Sequence, residues 1–104
     1  MNRALGMIGL AARARKLAAG EDLCVKSIRS GSAKAVLLDA GAGPNTTKSV
    51  ADACRYYDVP LVKLPEGELG RAIGRSGRMT AAVLDGGMAK RILELVETSD
   101  VSGE

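Results

Sequence analysis

The sequence of 104 residues contains no histidine, tryptophan or phenylalanine, and Tyr56 and Tyr57 are its only aromatic residues. Without histidine the chain cannot form a Ser-His-Asp triad, a histidine-containing zinc site or a histidine general acid. The isolated carboxylates form no recognisable catalytic pair. Two neighbouring tyrosines also do not provide a platform on which several bases stack. These absences predict a protein that is not an enzyme, with no metal site and no cofactor.

Cysteine is scarce as well. Cys24 and Cys54 are the only two, fewer than the four ligands of a structural zinc site. Both fall on apolar positions of predicted helices, so we expect them to be small buried side chains. No apolar run approaches the ~20 residues of a membrane span, and no secretory signal precedes the domain. The sequence therefore predicts a cytoplasmic protein that makes no contact with a membrane.

Length and composition indicate one globular domain, since 46% of the residues are hydrophobic and 26% are charged. We place this domain at residues 1–97 and expect residues 98–104 to form a flexible C-terminal tail. The net charge is +3, but residues 1–34 alone hold seven basic and two acidic side chains. A basic end on a nearly neutral domain favours a polyanionic partner. Chance clustering of surface charge is the alternative.

Hydrophobic periodicity predicts helices at residues 2–15, 20–31, 45–57, 65–74 and 86–97. It predicts strands at 16–18, 33–38, 59–64 and 79–84, of which the second is an apolar run typical of burial on both faces. Asn45 is the expected N-cap of the third helix, with Thr46 or Thr47 as alternatives. Strands that alternate with helices predict a three-layer α/β/α sandwich with a largely parallel sheet.

The glycine-rich segment 41–49 follows a strand and opens a helix, where a phosphate-binding loop would lie. That motif requires a glycine before the lysine, but Thr47 precedes Lys48 here and Pro44 removes a backbone donor. We therefore expect a turn and a helix start rather than a nucleotide site. A loop that faces nucleic acid is the alternative.

The segment from Gly20 to Lys26 carries the richest local pattern. A glycine before a helix leaves backbone N–H groups free for a phosphate or a base edge. Asp22 and Lys26 are four residues apart and share one helix face. A carboxylate accepts from guanine or cytosine amino groups, and a lysine donates to guanine. The alternative is a capped helix with an exposed ion pair.

A second segment interleaves Arg71, Arg75 and Arg78 with glycines just before the last predicted strand. Such a loop brings its backbone close to an RNA sugar-phosphate chain while arginine forms bidentate contacts with phosphate. A solvated loop is the alternative.

An ordered set of short segments runs through residues 3–97: GLAARARKL at 9–17, GE at 20–21, K at 26, IR at 28–29, AK at 33–34, VLL at 36–38, NT at 45–46, K at 48, YYDVP at 56–60, LGRAIG at 69–74 and DxGMAK at 85–90. This set resembles the bacterial YlxQ group in the family of ribosomal proteins L7Ae and L30e. The resemblance implies an α/β/α sandwich with a mixed, four-stranded sheet.

The resemblance also implies binding of kink-turn RNA through a Gly-x-Asn-Glu-x-x-Lys segment at the second helix and a basic, apolar loop before the last strand. Gly20 and Lys26 match that segment, whereas Asp22 replaces its Asn and Leu23 replaces its Glu. Ionised aspartate only accepts hydrogen bonds, and leucine forms none. Each lost base contact removes about 1–3 kcal/mol of discrimination. The resemblance thus implies RNA binding more strongly than kink-turn specificity.

The predicted RNA-binding site joins both segments to nearby cations. It consists of Arg13, Arg15, Lys16, Gly20, Glu21, Asp22, Leu23, Lys26, Lys34, Arg75, Ser76, Gly77, Arg78, Met79 and Thr80. The expected partner is structured RNA, such as a kink-turn or ribosomal RNA, with the ribosome or other translation or transcription factors as further partners. We expect a monomer. The alternative function is a protein-interaction adaptor on the same fold.

Overall fold

The computed structural model describes the backbone of residues 2–102 and the side chains of residues 3–97. In chain order its elements are α1 (Asn2–Arg13), β1 (Leu17–Ala19), α2 (Glu21–Arg29), β2 (Ala35–Asp39), α3 (Pro44–Tyr57), β3 (Leu61–Leu64), α4 (Glu68–Ile73), β4 (Thr80–Val83) and α5 (Gly86–Ser102). Within this described part, none of the helices combines the length and the apolar character that crossing a bilayer requires.

The four strands form one sheet in the order β1-β4-β2-β3. Only β2 and β3 pair in parallel, while β4 is antiparallel to both β1 and β2. The expectation of a largely parallel sheet is therefore wrong, and the mixed sheet implied by the family resemblance is correct.

The direction of β4 follows from the path of the chain between β3 and β4. Strand β3 ends at Leu64, which pairs with Asp39, and β4 begins at Thr80, which pairs with the neighbouring Leu38. The chain thus enters β4 at the same end of the sheet at which it left β3. A parallel strand needs a crossover that returns to the opposite end, and the segment around the six-residue helix α4 does not make that return.

Two helical layers cover the sheet, which confirms the predicted α/β/α sandwich. Helices α1, α4 and α5 pack on one face, around Ile8, Leu69 and Ile92. Helices α2 and α3 pack on the other, around Ile28 and Val50. All five residues of β2 are buried, as its apolar run predicts.

Both cysteines lie in the layer of α2 and α3 as free, buried thiols, which confirms their expected burial. Burial raises the pKa of the Cys24 thiol. It also raises the pKa of Cys54, from 9.0 to about 11. Neither side chain is a reactive thiolate in the folded protein.

Several helix boundaries differ from the predictions. Helix α1 ends at Arg13 and not at residue 15, α2 covers Glu21–Arg29 and not 20–31, and α4 covers Glu68–Ile73 and not 65–74. Helix α3 starts at Pro44 with Gly43 as its N-cap, so the predicted cap at Asn45 is wrong. Proline suits the first helical position because its ring fixes φ and its missing N–H is not needed there. Helix α5 continues to Ser102, whereas the prediction ended it at Glu97. Residues 103–104 lie outside the described part, and the division into a domain at 1–97 and a flexible tail stays a prediction.

Candidate nucleic-acid interface

One end of the sheet brings the two predicted segments together. The Gly20 N–H, just before α2, donates to the carbonyl of Thr80 at the start of β4 (2.9 Å). Gly20 has φ 104° and ψ 151°, a backbone conformation that is essentially restricted to glycine. A Cβ at this position would lie only 3.7 Å from Nη1 of Arg78. The start of α2 and the loop before β4 are therefore neighbours, although about sixty residues separate them in sequence.

The first turn of α2 is open to solvent. Glu21, Asp22 and Leu23 are all exposed, and Leu23 keeps 56% of its surface accessible. The N-cap residue is Gly20, and no side-chain hydrogen bond from it caps the helix. The first backbone N–H groups of a helix also have no acceptor within the helix. Among the side chains of residues 3–97, no ion pair joins Asp22 to Lys26. The ion pair proposed as the alternative to a binding role is thus not formed in the structure.

Glu21 has a structural contact. Its Oε1 accepts a hydrogen bond from the hydroxyl of Thr46 (2.7 Å), which ties the start of α2 to the start of α3. In the same turn of α3, Lys48 pairs with Asp52 (2.9 Å) and lowers the pKa of that carboxyl. The segment 41–49 therefore forms the expected turn and helix start, and its lysine is directed at a carboxylate of its own helix.

The loop of residues 74–79 packs directly on α4. The N–H of Arg75 donates to the carbonyl of Gly70 (2.9 Å). Gly74 and Gly77 adopt positive φ values of 75° and 85°, and the side chains of Arg75 and Arg78 remain exposed. The loop is thus held close to the protein while its cations face solvent.

Thr80 differs from the rest of its predicted segment. Only 1% of its surface is accessible, its hydroxyl donates to the carbonyl of Leu37 (2.9 Å), and Cys24 Sγ lies 3.4 Å away. As the first residue of β4, it directs its side chain into the layer of α2 and α3. The buried side chain gives no support to Thr80 as a member of the predicted RNA-binding site, which stays a prediction. Met79, next to it, is half-buried.

Lys16 and Lys34 lie at the opposite end of the sheet. The carbonyl of Lys16 accepts from the N–H of Leu84, and the N–H of Lys34 donates to the carbonyl of Val83. Lys34 also directs its ammonium group to the carbonyl of Gly31 (3.3 Å). Because β4 runs from Thr80 to Val83, the structure does not bring these two lysines to the surface around Gly20. Their expected place in one site is not supported by the geometry.

Arg13 and Arg15 lie with Leu23 and Arg75 along a groove of about 760 Å³. The groove lies among α1, β1, the start of α2 and α4, and it adds Arg71 to these predicted residues. Arg71 was singled out in the sequence as one of three interleaved arginines but was not included in the predicted site. The alternation of glycine and arginine in this segment is the sequence signal that indicates Arg71.

Asp39 was not among the predicted site residues, although its carboxylate holds two loops in place at this end of the sheet. It is 1% exposed, and its Oδ1 accepts from the N–H groups of Gly41 (2.8 Å) and Gly67 (3.0 Å). Its Oδ2 accepts from the N–H of Leu69 (3.3 Å). The carboxylate thereby fixes the loop after β2 and the start of α4 at the same end of the sheet. A single acidic residue at the end of an otherwise apolar strand was the available signal.

Among the side chains of residues 3–97, no three histidine, cysteine, aspartate or glutamate residues form a group that could hold a metal ion. The geometry instead defines a small α/β/α protein with an uncapped helix start and a cationic loop side by side. The chain belongs to the Ribosomal protein L7Ae/L30e/S12e/Gadd45 family, whose model matches residues 2–93.

Two relatives share high identity over most of their length. The chain is 47% identical over 92 residues to the RNA-binding protein YlxQ of Bacillus subtilis (strain 168), covering 88% of this chain and 92% of the relative. It is 42% identical over 96 residues to the RNA-binding protein YlxQ of Enterococcus faecium, covering 91% and 92%. Neither these names nor the family denotes an enzyme, which agrees with the expected absence of catalysis.

Solved structures share the fold. A protein with unknown function from Bacillus halodurans C superposes with a TM-score of 0.88 at 36% identity, covering 93% of this chain and 99% of that one. The Giardia lamblia 15.5kD RNA binding protein superposes with a TM-score of 0.72 at 24% identity, covering 90% and 84%. The second likeness concerns the fold alone.

Proposed function

We propose that this protein is a non-catalytic, cytoplasmic RNA-binding protein that docks a kinked or looped RNA at the end of the sheet around Gly20. The observation that carries the proposal is the contact between Gly20 and Thr80, which places the open first turn of α2 beside the exposed Arg75–Arg78 loop. The names of the two bacterial YlxQ relatives support RNA as the partner. The proposal includes ribosomal RNA and the ribosome as partners of the protein.

The chemistry divides between the two segments. Free N–H groups at the start of α2 and the partial positive charge of the helix end favour a phosphate. Lys26, Arg75 and Arg78 neutralise flanking phosphates, which fixes position without reading sequence. Asp22 accepts from a guanine or cytosine amino group, and Leu23 packs against an apolar base or sugar face. An irregular RNA fits this surface better than a regular duplex because its bases and 2′-hydroxyls are accessible.

Binding to a kink-turn RNA and to a straight duplex of equal length, across a salt series, tests the proposal. We expect tighter, salt-sensitive binding to the kinked RNA. In the Lys26→Ala/Arg78→Ala variant, two lost phosphate contacts reduce the salt slope by about 1.4–1.8. A Lys63→Ala/Lys90→Ala variant removes the same charge from exposed positions outside the interface and serves as the control.

Three outcomes contradict parts of the proposal. Equal affinity for both RNAs rules out recognition of kinked shape. Equal losses in the two double variants show that net charge, and not this surface, determines binding. No binding at low salt favours the protein-interaction adaptor, for which the 56% exposed Leu23 is the structural argument. A protein interface centred on Leu23 depends far less on salt.

A further inference from the structure

The groove between α1 and α4 has the dimensions of a ligand site. Its volume is about 760 Å³, within the range of roughly 300–1,000 Å³ that small-molecule and nucleotide sites occupy. Leucine and isoleucine side chains, Leu17 and Ile73, form part of its lining. Among the side chains of residues 3–97, no acidic and no aromatic residue lines it. Its four charged side chains are all arginines, and we call it the arginine groove: Arg13, Arg15, Arg71 and Arg75.

The charges of the arginine groove are largely uncompensated. Among the side chains of residues 3–97, only Arg71 of the four forms an ion pair, with Glu68 at 3.4 Å, and its side chain is still 80% exposed. Four cations around one groove repel one another and raise the local concentration of anions. A ligand with several phosphates matches this pattern, because arginine forks bind phosphate oxygens in pairs.

Arg15 occupies a position where glycine is the usual residue. The N–H of Lys16 donates to the carbonyl of Ala11 and that of Arg15 to the carbonyl of Ala12, the two bonds of a Schellman motif. Arg15 therefore adopts a left-handed φ of 60°. Side chains with a Cβ are disfavoured there. Arg15 nevertheless adopts this conformation and places its guanidinium on the groove.

Gly9 keeps the two walls of the groove close together. A Cβ on Gly9 would lie 3.0 Å from the carbonyl oxygen of Ala72 and 3.6 Å from Nη1 of Arg13. Helix α1 thus approaches the end of α4 through a glycine, and the guanidinium of Arg13 lies over that contact. Close packing of α1 on the end of α4 therefore forms this part of the groove.

We propose that the arginine groove holds unpaired nucleotides of an RNA strand that continues from the RNA docked at the start of α2. This inference rests on the proposed function. Leu23 and Arg75 line the groove and also belong to the proposed interface, so a strand passes from one surface to the other without a break. Single-stranded RNA fits because its bases are free to pack on Leu17 and Ile73, whereas a duplex hides them.

The residues that line the groove also determine whether it distinguishes one RNA sequence from another. Base stacking on aromatic rings is absent from the groove, so bases contact aliphatic side chains and the planes of guanidinium groups. Such contacts do not distinguish donor and acceptor patterns on base edges. The groove therefore binds unpaired nucleotides with little sequence preference.

The first test compares one RNA with and without a short single-stranded extension, placed at either end in turn. We expect one extension to tighten binding about tenfold. The gain is lost in Arg15→Gly/Arg71→Ala, in which glycine suits the backbone of residue 15. It persists in Lys63→Ala/Lys90→Ala. Equal affinity with and without either extension overturns the inference, as does a gain that survives in Arg15→Gly/Arg71→Ala.

A second test separates the groove from the proposed function. Hexauridylate alone, added to protein with labelled methyl groups, should shift the NMR signals of Ile73 and Leu17 in the wild type and not in Arg15→Gly/Arg71→Ala. If the unextended RNA does not bind, the proposed function is wrong. The methyl shifts then still show whether the arginine groove binds single-stranded RNA. Unchanged Ile73 and Leu17 signals at saturating hexauridylate overturn the inference.

Discussion

Replacement of Asp39 by asparagine tests how the loops around the candidate interface are fixed. The carboxylate of Asp39 is buried and accepts three backbone N–H groups, those of Gly41, Gly67 and Leu69. Asparagine has almost the same shape but only one acceptor atom. With its oxygen at the place of Oδ1, it keeps the bonds to Gly41 and Gly67, and its NH₂ group then faces the N–H of Leu69, donor against donor.

The magnitude follows from the environment of each bond. Leu69 is fully buried, so its N–H finds no water in place of the carboxylate, and a lost charge-assisted bond of this kind costs about 1.5–3 kcal/mol. The two remaining bonds become neutral and weaker by roughly half. Together these losses amount to about 3–6 kcal/mol of unfolding free energy. For a domain of this size, the corresponding fall in Tm is at least ~12 °C.

Thermal unfolding followed by circular dichroism measures this fall, with Asp52→Asn as the matched control. Asp52 is an exposed carboxylate that pairs with Lys48 on the surface of α3, and its replacement should leave Tm nearly unchanged. Amide hydrogen exchange gives a second readout, since the Leu69 N–H should exchange faster in Asp39→Asn. Equal Tm values for the two variants would refute the role assigned to Asp39.

Two further predictions concern packing and pH. Gly70→Ala should lower stability by about 1–3 kcal/mol, because its Cβ would lie 2.8 Å from the Arg75 carbonyl oxygen. Gly6→Ala should raise stability by roughly 0.5–1 kcal/mol, because its Cβ would meet no atom within 4 Å beyond the adjacent residues and the backbone of its own helix. Urea titrations in which both variants shift in the same direction contradict this pair of predictions. The pKa of Cys54 is raised from 9.0 to about 11, so the thiol's stabilising contribution is present below pH 9 and is lost as the pH rises towards 11. Urea midpoints should therefore fall more steeply over this interval in the wild type than in Cys54→Ala, and parallel curves would disprove it.

The layers of the fold were predictable because they depend on local patterns. The unbroken apolar run of β2 indicates burial on both faces, and every residue of Ala35–Asp39 is buried. The direction of β4 was not predictable in this way. It depends on which end of the sheet the chain occupies between Leu64 and Thr80, and hydrophobic periodicity contains no information about that path.

The candidate site shows the same division. Glycine and charge patterns identified the start of α2 and the loop before β4, which the Gly20–Thr80 hydrogen bond brings together. Whether the other predicted residues lie on this surface depends on how the strands pair. Lys16 and Lys34 lie near the end of β4 that is away from Gly20, and the side chain of Thr80 points into the core. Neither fact is visible until the pairing of the strands is known.

In the described part of the chain, helices α2, α3 and α4 begin at the end of the sheet where the proposed interface lies, and the groups around their first N–H groups differ. The N–H groups at the start of α4 are occupied by the buried carboxylate of Asp39. Helix α3 begins with Pro44, which has no N–H. Of these three helix starts in the described part of the chain, that of α2 has neither a carboxylate on its N–H groups nor a proline. Under the proposed function, a phosphate bound there would do for α2 what Asp39 does for α4.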